Sequence, residues 1–124
     1  MNAAMVTGNS MLTVETDIQP AQFAQDPAEE RAGSVLWLML VCLNVSRPGS
    51  ASGLVVRSVL ATGYPAVTDA EVELAGKVLE AYGLATVDTE ARGPAWTLTK
   101  LGIDVVEYRR PTVGPVARPS VRRW

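Results

Sequence analysis

The side chains able to do chemistry in this chain are few. It has no histidine and a single cysteine, Cys42. Cys42 lies inside the apolar block Val35 to Leu43, where a thiol behaves as a small hydrophobe and its thiolate is disfavoured. Carboxylates recur at helical surface spacing, Asp69 with Glu73 and Asp104 with Glu107. Acid–base work needs an apolar pocket or a neighbouring base to shift a pKa, and neither stretch supplies one. A thiolate metal site is excluded by ligand count. Gly93 to Gly102 holds a lysine but lacks the Gly-Lys-Ser/Thr ending of a phosphate loop. The sequence therefore predicts no catalytic residue, no metal and no cofactor. What remains is charge for contact. Arg57, Lys77, Arg92, Arg109, Arg110, Arg118, Arg122 and Arg123 are the candidates to hold the phosphates of double-stranded DNA.

That charge is unevenly spread. The net charge is −2, yet residues 1–30 carry five acids and no Lys or Arg, and residues 109–124 carry five arginines and no acid. A basic tail on a mildly acidic body points to an anionic contact made by the tail rather than by the whole surface. One cysteine makes an intrachain disulfide impossible, and MNAAMVTGNS lacks the positive start of a signal peptide. The longest apolar run falls well short of the roughly 20 residues that span a bilayer. The expectation is a cytoplasmic protein with no membrane contact.

The elements that must position these groups are legible around Val67 to Tyr108. Thr68-Asp69-Ala70-Glu71 is a capping box, and Val72, Ala75, Leu79 and Tyr82 follow at helical spacing up to Gly83. Leu84 to Thr89 alternates as a strand, Glu90 to Pro94 reads as a turn, and Ala95 to Leu98 as a second strand. Thr99 caps a last helix through Tyr108, which Pro111 stops. Upstream, Asp26-Pro27-Ala28-Glu29 opens a helix that runs to about Val45 and ends at Arg47-Pro48-Gly49. From Val35 to Leu43 that helix is apolar on every side, more than a small domain covers. We therefore expect a homodimer with Trp37, Met39 and Leu40 at its seam. Ser50 to Thr62 is a second helix, capped by Ser50 or Ser52, with Leu54, Val55, Val59 and Leu60 inward and Gly63 as its stop. Tyr64 to Val67 joins it tightly to the next helix, as in a helix-turn-helix.

The fold expected is mainly α with a small β-hairpin, a winged helix-turn-helix. Its parts are a mobile arm over residues 1–25, a domain over 26–110, and a basic, Pro-rich tail over 111–124 that is extended and mobile.

Four stretches carry a family resemblance: SASGLVVRSVLATGY, VTDAEVELAGKVLEAYGLATV, WTLTKLGIDVV and the tail's Val-Gly-Pro-Val-Ala-Arg-Pro-Ser. Together they resemble the small winged-helix proteins of Mu-like transposable phages and their prophages. The back half is also similar to bacterial regulators of the MarR and ArsR types. The resemblance covers over half the chain and implies a phage-encoded, cytoplasmic protein that binds nucleic acid through its fold.

A winged helix usually reads the major groove with its third helix. Here that helix presents Asp69, Glu71, Glu73 and Glu80 against Lys77 alone, and acids facing phosphates add repulsion. A solvated face braced by a Glu73–Lys77 pair is the plainer expectation. Arg92 sits at the expected wing tip, suited to a minor groove, and the tail's arginines and Trp124 suit phosphates and a base. Two functions compete. One is a DNA-binding transcriptional regulator gripping through wing and tail more than through its acidic third helix. The other is a protein–protein interaction or assembly module that reuses the fold without DNA.

Overall fold

The computed structural model describes residues 26–90 and 93–120. Asp26 caps the first helix, its carboxylate accepting from the Ala28 amide at 3.2 Å, and α1 runs from Pro27–Val45. A two-residue strand, β1 (Ala51–Ser52), leads into α2 (Gly53–Leu60), and α3 spans Asp69–Ala81. The hairpin β2 (Ala85–Glu90) and β3 (Gly93–Leu98) follows, and α4 (Lys100–Val106) closes the series. The strands form one antiparallel sheet in the order β1-β3-β2. Ala51 faces Trp96, and Ala85 to Glu90 pair with Leu98 to Gly93 in unbroken register. Among the described residues, four helices and a small three-stranded antiparallel sheet in this order make a winged helix-turn-helix.

The local signals form as the side chains dictate. Thr68 accepts the Glu71 amide at 3.1 Å while Glu71 accepts the Thr68 amide at 3.2 Å, a complete capping box. Gly83 stops α3 at φ 74°, and Thr99 caps α4 by accepting the Gly102 amide. Several bounds differ from expectation: α2 ends at Leu60 rather than Thr62 and α4 at Val106 rather than Tyr108, and two further differences come from strand pairing. Ser52 is the cap of α2, and the residues before it extend into β1, because Ala51 finds backbone partners on β3. The hairpin loop is shorter than expected, since pairing continues to Glu90 and Gly93.

The core lies between α1 and the rest. Met39 and Leu40 are fully buried in it with Leu43, Val56, Leu60, Leu79, Leu84 and Val105. Each such side chain contributes on the order of 1.5–3 kcal/mol of burial. This corrects the expected dimer seam. Met39 and Leu40 are covered by the chain's own helices and offer nothing to a second copy, whereas Trp37 is half-buried with its ring edge-on to Tyr108 at 5.9 Å.

The covering of α1 is completed from the carboxyl side. Residues 111–120 were expected to be loose and are instead packed. Val116 is buried, and the Ala117 amide donates to the Gly33 carbonyl at 3.1 Å. Only glycine admits this approach, because a Cβ on Gly33 would lie 2.8 Å from the Pro115 carbonyl oxygen. The domain thus continues past Arg110. The expected arm over residues 1–25 lies outside the described residues.

Candidate nucleic-acid interface

The helix-turn-helix is α2, the connection through Tyr64 and Val67, and α3. The connection is held by backbone bonds from Tyr64 to Leu60 and from Val67 to Tyr64. Its far end is tied to α1 by Arg31, whose guanidinium donates two 3.0 Å bonds to the Glu71 carboxylate and lies 4.9 Å from the Tyr64 ring centre. The Arg31 hydrogen bonds hold the Glu71 carboxyl below its ordinary value, with the Thr68 amide assisting against partial desolvation. Glu71 is therefore a fastening for the start of α3 and does not face outward for recognition.

The candidate cations divide into two kinds. Arg57 on α2 is partly exposed and reaches Asp69 at 3.0 Å, a surface pair worth about 0–1 kcal/mol that an anion can displace. Lys77 is exposed on α3, and the expected Glu73–Lys77 pair is not among the ion pairs of the described residues. Arg110 is exposed as well. In contrast, Arg109 is engaged by Asp104 at 3.1 Å and by Glu107 at 2.5 Å. Hydrogen bonding by Lys100, then Arg109, holds the Asp104 carboxyl low, and Arg109 does the same for Glu107.

Arg118 is committed further. It donates to the carbonyls of Val105 at 2.9 Å and Arg110 at 2.7 Å and stacks 4.4 Å from the Tyr108 ring centre. The Tyr108 hydroxyl in turn donates to the Pro119 carbonyl. Expected as a phosphate contact, Arg118 is a clasp for the carboxyl segment. Arg92, Arg122, Arg123 and Trp124 lie outside the described residues.

The rest of the face is acidic and apolar. Asp69, Glu73 and Glu80 are exposed on α3. Leu54 at 75%, Val55 at 46% and Val59 at 41% exposure correct the expectation that they point inward, and Leu74 on α3 is 64% exposed. In the short α2 it is Val56 and Leu60, four residues apart, that face the core. Only Arg57 and Ser58 are polar in the eight residues of α2, too few for periodicity to fix its phase.

Burial raises the Cys42 thiol above its ordinary value, so it stays protonated inside the core. Among the described residues no helix is long and apolar enough to cross a membrane.

Neither a protein-family model nor a curated protein matches the chain. Solved structures do resemble it, among them these two. One, of BpsR from Bordetella bronchiseptica, concerns the regulation of that protein's DNA binding by 6-hydroxynicotinic acid; identity is 25% and the TM-score 0.50, over 60% of this chain and 50% of that one. The other, human N-acetylserotonin methyltransferase in complex with SAM, shows 18% identity and a TM-score of 0.47, over 67% of this chain and 26% of that one. The chain thus spans half the length of the first and about a quarter of the second. The likeness to BpsR agrees with a helix-turn-helix, winged-helix fold of the regulator kind.

Proposed function

We propose that the chain is a phage-encoded, cytoplasmic winged-helix protein that binds double-stranded DNA as a homodimer, regulates transcription and catalyses nothing. The observation that carries the reading is the architecture: α2, turn, α3 and hairpin in the order shared with a protein whose DNA binding is itself the subject of its structure. Arg57, Lys77 and Arg110 supply the described contacts, and Arg92, Arg122 and Arg123 supply the rest. Arg109 and Arg118 drop out of the contact set because carboxylates and carbonyls hold them. Of the residues expected at a dimer seam only Trp37 keeps exposed surface.

The test is fluorescence anisotropy with duplex DNA across a salt series. Each phosphate contact adds about −0.9 to the slope of log K against log salt, so the three described cations alone give a slope near −3. Absence of binding at low salt would end the regulator reading. A second reading, a protein-interaction module, is favoured by one observation: the outward acids Asp69, Glu73 and Glu80 on the helix that would enter the groove.

A further inference from the structure

Two hollows, of about 250 Å³ each, lie along α3. One is lined by Gly53, Leu54, Arg57, Asp69, Val72, Glu73 and Pro94. The other is lined by Glu73, Lys77, Glu80, Val87, Thr89, Pro94 and Trp96. Because Glu73 and Pro94 wall both, the hollows form one trough between α2, α3 and the hairpin. Its floor is apolar, from Val72, Pro94, Trp96 and Val87, with Leu54 standing exposed at one end. Its rim is charged.

The acids on that rim are of two kinds. Asp69 holds Arg57 as its cationic partner. Glu73 and Glu80 hold none among the described residues. They stand seven residues apart on one helix, about 10 Å along its axis at 1.5 Å per residue. Unpaired carboxylates over an apolar floor repel a phosphate backbone and attract cations that bring an aliphatic group with them.

We infer that this trough docks a cationic protein segment carrying an apolar anchor, and that a docked segment excludes DNA from α3. The docking stands on the trough alone, and the exclusion rests on the DNA-binding reading. The segment suited to the site is extended, with two Arg or Lys side chains four residues apart and Leu or a similar side chain midway, so that all three point to one face and the flexible cations reach carboxylates about 10 Å apart. Its cations pair with Glu73 and Glu80, and its anchor settles on Pro94 and Val87. Lys77 and Arg57 line the same trough, so the segment and a DNA phosphate compete for one surface.

The experiment titrates the full chain into a fluorescein-labelled peptide, Gly-Ser-Arg-Ser-Leu-Ser-Arg-Ser-Gly, and reads anisotropy. The double substitution Glu73→Lys with Glu80→Lys is expected to weaken binding about tenfold or more, since it replaces two attractions by two repulsions. Asp88→Lys, on the opposite side of β2 from Val87 and Thr89, is expected to leave it within about twofold. A peptide with serine for the leucine is expected to bind at least about fivefold more weakly. All these residues are exposed, and circular dichroism verifies that each variant is folded. The inference is overturned if Glu73→Lys with Glu80→Lys has no effect, if Asp88→Lys weakens binding equally, or if the serine peptide binds as tightly. Displacement of bound duplex by the peptide supports the exclusion, and joint binding of both overturns it. If duplex does not bind at all, the regulator reading fails, while the peptide arm still decides the docking.

Discussion

Trp96 of β3 occupies the space that a side chain on Gly76 of α3 would need. A Cβ on Gly76 would fall 2.5 Å from both Nε1 and Cζ2 of the indole. The glycine sits mid-helix at a cost of about 1 kcal/mol relative to alanine, and what it returns is contact between hairpin and helix. Gly76→Ala is therefore expected to destabilise the protein by about 1–3 kcal/mol through overpacking, despite the better helix former. Trp96→Leu relieves the crowding, so in that background Gly76→Ala is expected to be neutral or stabilising. Urea unfolding of the four proteins in this cycle measures the coupling.

Arg118 and Arg110 separate structure from binding. Arg118→Ala removes the side-chain donor from the carbonyls of Val105, which keeps the Tyr108 amide, and Arg110, and frees the segment that buries Val116. A loss of about 1–3 kcal/mol in stability is expected, with the salt slope of DNA binding unchanged. Arg110→Ala is expected to do the reverse, leaving the melting temperature in place and reducing the magnitude of the slope by about 1. Equal behaviour of the two variants would contradict the division.

Acid stability follows from three carboxyls. Glu71, Asp104 and Glu107 are all held below their ordinary values of 4.5, 3.8 and 4.5 by guanidinium or ammonium donors. A depressed folded-state pKa stabilises fully above the ordinary value and is lost as pH falls through the folded value. Stability is therefore expected to be flat from neutral pH to about 5 and to fall progressively below the ordinary carboxyl range. Glu71→Gln removes one contribution and is expected to flatten that acid limb, read as melting temperature against pH.

Truncation distinguishes the terminal arginines from the packed segment. A chain ending at Ser120 lacks Arg122 and Arg123 and is expected to keep its stability while losing salt-dependent DNA affinity. A chain ending at Arg110 also loses Val116, Ala117 and Arg118, exposing the surface of α1 around Gly33. It is expected to melt several degrees lower, since about 1 kcal/mol shifts the melting point of a domain this size by roughly 4–8 °C. Thermal scans of both chains check this.

The sequence was most readable where one side chain settles one backbone group. The Thr68–Glu71 box, the Thr99 cap and the Gly83 stop form as their residue types require. Legibility failed where a decision belonged to distant partners. Ala51 and Ser52 look like the start of a helix until β3 offers them a strand to pair with. Met39 and Leu40 look like spare apolar surface until the rest of the core closes over them. Arg118 looks like a tail cation, because nothing local shows that two carbonyls and a tyrosine ring will gather around it. At the candidate interface the acids of α3 were evident from their spacing, but Glu71's attachment to Arg31, forty residues away, was not. The exposure of Leu54, Val55 and Val59 was hidden because α2 is short and only Arg57 and Ser58 in it are polar.

The dent at Gly33 has a bearing on the order of events during synthesis. The first of the described helices to leave the ribosome waits longest for its roof, because Pro115 to Ala117 emerge some eighty residues after the glycine they cover. Until then a stripe of greasy α1 stands open in the nascent chain, a hazard for self-association that lasts until those three residues are made.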